Sequence, residues 1–133
     1  MVFEPESMET SAPSESPGMS EHVVILLLEA GERFLVKLEE ALGFENPSLQ
    51  EHFIKKLLAI LDELHRRLNH EQGGELVDNL IRLYAWWRAE VLAARDQSDP
   101  ERLTRVRKQM GDIRQAWEHV LFNGEGLTGN PEF

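Results

Sequence analysis

Asp62-Glu63-Leu64-His65 is the one place where this chain spaces a carboxylate and an imidazole as a metal site needs them. An acid three residues before a histidine puts both on one face of a helix. Helical bundles that hold two metal ions use that pair on two helices, with a further carboxylate from each of the other two. The rest of that set does not follow. None of His22, His52, His70 or His119 has an acid three positions earlier. The two apolar stripes downstream of residue 73 carry no carboxylate, so Asp62 and His65 read as surface groups. There is no cysteine, which excludes disulfides, thiolate ligands and cysteine nucleophiles. A glycine-rich phosphate loop, a nucleophile elbow and HExxH are also missing from the sequence. No catalytic residue and no cofactor is expected, and the chain reads as a non-enzyme.

The aromatic residues are more informative. Tyr84, Trp86 and Trp87 fall within four residues. Tyr84 and Trp87 lie on an apolar helical stripe, while Trp86 is about 100° away from Trp87 around the helix. Both indoles cannot enter one core, so one belongs at an edge or in a groove. A ring with one polar atom suits such a position and often anchors a protein partner. Trp117 continues another stripe and reads as core.

Four helices position these residues. The chain turns on Phe53–Val91, where two apolar stripes meet at Gly73-Gly74. Ile54, Leu57, Leu58, Leu61, Leu64 and Leu68 recur at three- and four-residue spacing, as do Leu76, Val77, Leu80, Tyr84, Trp87 and Val91. Upstream, Val24, Leu27, Leu28, Gly31, Phe34, Leu35, Leu38 and Leu42 predict a first helix over about 21–42. Ser20 is its expected cap, and Gly43 with Asn46-Pro47 its stop. Val23, Ile25 and Leu26 make its first turns apolar almost all round, as a helix buried on two sides or facing a partner must be. Gly31 within the stripe predicts a close helix–helix approach. Ser48 is the expected cap of the second helix, which should reach about Asn69. Asp62–Arg66 and Glu63–Arg67 are i,i+4 pairs on its outer face. The third helix should end near Arg95. Asp99-Pro100 restarts a fourth, with Leu103, Val106, Met110, Ile113, Trp117 and Val120/Leu121 on its stripe.

These spacings predict an all-α fold, an antiparallel up-down-up-down four-helix bundle over residues 19–122. Residues 1–18, rich in Ser, Glu and Pro, are expected to be a disordered tail, with docking through Met1, Val2, Phe3 and Met8 as the other reading. Residues 123–133 are expected to form a flexible C-terminal tail. The net charge of −10 argues against nucleic acid and anionic lipid as partners. The run Val23–Leu28 falls far short of the roughly 20 residues that span a bilayer, so no membrane insertion is expected. With no secretory signal visible, a cytoplasmic location is expected.

Leu61–Asn69, then GGELVDNLIRLYAWW at Gly73–Trp87, Asp99-Pro100 and Gln115-Ala116-Trp117-Glu118 together resemble the flagellar secretion chaperone family FliS. The likeness covers about residues 50–121. It extends upstream through Ser16-Pro17-Gly18 and Gly31-Glu32-Arg33-Phe34-Leu35. It implies an export chaperone that holds the C-terminal, disordered segment of flagellin along apolar surface grooves. Such a protein prevents premature polymerisation and assists flagellar type III secretion, with the flagellar export apparatus as a second contact. On that reading the client contacts are Leu64, Leu68, Tyr84, Trp86 and Trp87, then Ile25 and Leu28. The chain departs from the family in having no tyrosine in residues 1–18, Leu28 where a tyrosine is usual, and Ala89-Glu90 where a basic pair is usual. A self-associating structural or regulatory bundle, or a chaperone for another secreted client, is the alternative.

Overall fold

The computed structural model describes residues 17–68 and 73–122. They form four helices: α1 (Pro17–Gly43), α2 (Pro47–Arg66), α3 (Gly74–Gln97) and α4 (Pro100–Phe122). The expected tails lie outside the described residues, except that Pro17 and Gly18 already belong to α1. Ser20 is therefore inside α1 and not its cap.

The caps explain where the other helices begin and end. Asn46, not Ser48, caps α2: its Oδ1 accepts from the Leu49 N–H at 3.2 Å, with Pro47 at the first helical position. Proline there loses no hydrogen bond, since that N–H has no partner within the helix. Between α1 and α2 the left-handed residue is Glu45 (φ 53°), two residues beyond Gly43. At the end of α3, Ser98 takes the left-handed conformation, and the Asp99 N–H reaches the Ala94 carbonyl at 2.9 Å. This closes the free carbonyls of the last turn, as a helix C-terminus requires. Gly73 and Gly74 have φ of 54° and 94°, a path that side chains with a Cβ rarely follow.

Each helix packs antiparallel on its sequence neighbour, and α4 closes the ring on α1. The register is fixed by pairs of constant index sum. Arg107 and Arg114 of α4 meet Glu39 and Glu32 of α1, and Glu90 of α3 meets Arg102. The core holds Leu28, Leu35 and Leu38, then Ile54, Leu57, Leu61 and Leu64. From α3 and α4 it takes Leu80, Tyr84, Trp87, Val91, Leu103, Val106 and Met110. Gly31 is in it for the expected reason: a Cβ there would stand 2.7 Å from the Met110 sulfur and 3.8 Å from Ile60. No helix among the described residues is long and apolar enough to cross a membrane.

Asp62 does not pair with Arg66 as the spacing suggested. It turns to Arg88 of α3, and Arg66 and Arg67 share Glu63, whose carboxyl the Arg66 hydrogen bond holds below the usual range. A cation on a neighbouring helix competes well with one along the same helix, because both pairs are exposed and each is weak.

Candidate functional site

Trp87 and Trp86 take opposite fates. Trp87 has 0% of its surface exposed, stacks near Tyr84 (5.6 Å between ring centroids) and donates from Nε1 to Gln109 Oε1 at 2.9 Å. Trp86 leaves 39% of its surface in solvent. Burial pushes the Tyr84 hydroxyl up to about 12. This pair belongs to the core, dry and held by Gln109 of α4.

The flank that Trp86 occupies follows from Glu90, one turn further along α3. Glu90 meets Arg102 at 2.9 Å and Arg105 at 3.9 Å, both on α4. Positions four apart share a flank, so Trp86 borders the α3–α4 seam. Arg88 and Arg95 reach Asp62 and Glu51 on α2 and mark the other flank.

The seam changes character along its length. Leu103, Val106 and Met110 of α4 are buried, but Ile113, Trp117, Val120 and Leu121 are only half-buried. On α3, Leu80 is buried, Leu83 half-buried, and Leu76 is 67% exposed. The periodicity placed Leu76, Ile113 and Trp117 in the core. Leu76 stands in the first turn after the glycines, past the last full core layer, and has too few neighbours to cover it. The bundle is thus well filled at the end of the α1–α2 and α3–α4 turns, and opens toward the opposite end. There, Leu76 and Leu83 of α3 and Ile113 and Val120 of α4 stay partly exposed, along the seam that Trp86 borders.

The seven residues singled out from sequence fall in three groups. Leu64, Tyr84, Trp87, Ile25 and Leu28 are buried within the chain. Leu68 is half-buried at the end of α2, on the α2 side of α3. Trp86 borders α4, so the structure does not bring Leu68 and Trp86 to one seam. Leu76, Leu83, Ile113, Trp117 and Val120 were not singled out as contacts. Their half-burial comes from the bundle's end, which helical periodicity cannot register. Among the described residues no three His, Asp or Glu side chains gather closely enough to hold a metal ion. Most of the arginines are drawn into ion pairs instead, Arg33 and Arg82 excepted. Arg114, between Glu32 and Glu118, is held above its ordinary pKa, first by its hydrogen bond to Glu32.

A bundle whose unevenness is an apolar cleft with a half-exposed indole at its rim is built as a binding module. The sequence model of the FliS family, described as flagellar protein FliS, matches residues 7–123, and the chain belongs to that family. It is similar to the flagellar secretion chaperone FliS of Vibrio cholerae, 28% identical over 120 residues, covering 89% of this chain and 88% of the relative. The flagellar secretion chaperone FliSB of Pseudomonas aeruginosa is 28% identical over 98 residues, 74% of this chain and 78% of its own. The FliS of Salmonella typhimurium is 25% identical over 115 residues, 86% and 83%. Chain and relatives match over most of their lengths, so the family's flagellar export chaperone role applies to the whole bundle.

Proposed function

We propose that this protein is a cytoplasmic, non-enzymatic chaperone that binds the C-terminal disordered segment of flagellin, keeps it from polymerising and assists its passage to the flagellar export apparatus. The observation that carries the reading is Trp86, left 39% exposed on the α3–α4 flank of a helix whose Trp87 is buried, with Leu83, Ile113 and Trp117 of the same two helices only half-buried. A segment that folds as it binds lays its apolar side chains along such a cleft and loses chain entropy in doing so. That cost keeps the complex reversible, as an export carrier needs. Trp86 meets the client directly in the α3–α4 cleft, and Leu68, on the α2 side of α3, lies off it. Leu64, Tyr84, Trp87, Ile25 and Leu28 act from beneath, by fixing the shape of the surface.

The test is sedimentation of full-length flagellin with and without the chain under polymerising conditions. The chain at equimolar concentration is expected to hold flagellin in the supernatant as a 1:1 complex. Flagellin lacking its C-terminal segment is expected not to bind. If flagellin pellets regardless, and the chain alone gains mass with concentration in ultracentrifugation, the apolar surface serves self-association and the proposal fails.

A further inference from the structure

The face formed by α1 and α2, away from the cleft, differs from the rest of this acidic chain. Phe34 and Phe53, both half-buried, meet across the two helices with ring centroids 6.2 Å apart. The His52 ring stands edge-on to Phe53 at 5.0 Å, and Leu49, one turn earlier, is 40% exposed. The register set by Phe34–Phe53 and by Gln50 Nε2 donating to the Ala41 carbonyl puts Arg33 level with Lys56 and Lys37 level with His52. Arg33, Lys37 and Lys56 are all exposed. Among the described residues Lys37 pairs with Glu40 at 4.0 Å, and no ion pair takes in Arg33 or Lys56, although Glu29 stands one turn before Arg33. The arginines of α4 are otherwise: Arg102, Arg105, Arg107 and Arg114 all face carboxylates. Of the four cations that enter no ion pair among the described residues, Arg33, Lys55 and Lys56 lie on α1 and α2 and only Arg82 lies elsewhere, in a chain of net charge −10.

We infer that this α1–α2 face is a second docking surface, one that takes an acidic amphipathic helix from a protein other than the client. Charge complementarity selects the occupant. Arg33 and Lys37 are one turn apart, about 6 Å along the axis, the spacing at which two glutamates at i and i+4 repeat on a facing helix. Leucines of the same helix cover Phe34, Phe53 and Leu49. Three cations are too few to neutralise a nucleic-acid backbone, and the chain's overall charge repels it. The inference does not rest on the flagellin reading, since none of these residues borders the α3–α4 cleft.

The test uses the full chain, labelled with nitrogen-15, and a synthetic helical peptide with leucine at i, i+3, i+4 and i+7 and glutamate at the other positions. Amide shifts are expected to concentrate at Arg33, Phe34, Lys37, Phe53 and Lys56. Affinity is expected to fall at least tenfold in the Arg33→Glu/Lys56→Glu variant and to be unchanged in Trp86→Ala. Should the charge-reversed chain fold poorly, Arg33→Gln/Lys56→Gln is expected to show a smaller loss in the same direction. Shifts confined to the α3–α4 cleft, an unchanged affinity in both charge variants, or equal binding of a lysine-for-glutamate peptide would overturn the inference. So would a tenfold gain in peptide affinity on changing Glu4, Glu6, Glu9 and Glu15 to Gln in the full chain, which would make the chain's own N-terminal segment the occupant. Co-sedimentation with anionic lipid vesicles that is lost on the same charge reversal would also overturn it.

Discussion

Replacing each of the adjacent tryptophans by alanine separates the core from the rim of the site. Trp87 is wholly buried, and its indole nitrogen reaches Gln109 at 2.9 Å. Removing a buried aromatic of that size costs about 3–5 kcal/mol, including the cavity left beneath Tyr84 and Val91. For a domain of about 100 residues each kcal/mol lowers the melting temperature by about 4–5 °C, so Trp87→Ala should melt about 15 °C or more below the parent. Trp87→Phe keeps most of the ring but loses the hydrogen bond and should cost about 1–2 kcal/mol. Trp86 is 39% exposed, and its loss should cost less than about 1 kcal/mol, a shift under about 5 °C. The assay is thermal unfolding followed by circular dichroism at 222 nm. Equal losses at the two positions would refute the assignment of core and rim.

Gly31→Val should destabilise by about 1–3 kcal/mol in urea, because its Cβ would stand 2.7 Å from the Met110 sulfur. Combined with Met110→Ala it should cost less than the sum of the two single changes, since the shortened side chain makes room. Tyr84 is the one tyrosine, so ultraviolet absorbance reports its ionisation directly. Its pKa rises from 10 in the unfolded chain to about 12 when buried, so the folded state keeps a proton that the unfolded state has lost. Stability is undiminished well below pH 10 and should fall by roughly 2–3 kcal/mol as pH rises through 10 to 12. Tyr84→Phe should flatten that alkaline limb of a stability–pH profile. Arg114→Leu leaves Glu32 and Glu118 facing each other without their cation, at 20% and 29% side-chain exposure. It should cost about 1–2 kcal/mol in urea titrations, and Glu32→Gln in the same chain should restore part of it.

The bundle was legible because its signals are local and redundant. Leucine spacing, the Gly73-Gly74 break and the Asp99-Pro100 restart place the helices, and Gly31 marks the close contact with α4. Trp86 and Trp87 could be told apart from their 100° separation, since Trp87 falls on the core stripe with Tyr84 and Trp86 falls off it. The caps were less legible. Asn46 and Ser48 are both good cap residues, and Pro47 decides between them by occupying the first helical position. The ends of the core were not legible at all. Leu76 and Trp117 repeat on their stripes as faithfully as Leu80 and Met110 do, yet they stand past the last full layer. That depends on how four helices overlap, which no single stripe records. Asp62 illustrates the same limit for charge, since its partner Arg88 lies on another helix. The Phe34–Phe53 face needed the register of α1 on α2 before its cations could be seen to gather.

The client role is tested most directly by calorimetric titration of the chain, and of its Trp86→Ala variant, with the C-terminal segment of the same organism's flagellin. The parent should bind one segment with micromolar or tighter affinity and a negative heat-capacity change, the mark of apolar burial. The variant should fold normally and bind about 10- to 100-fold more weakly. The absence of heat at every temperature, or equal affinity for the two proteins, would contradict the α3–α4 cleft as the place where flagellin is held.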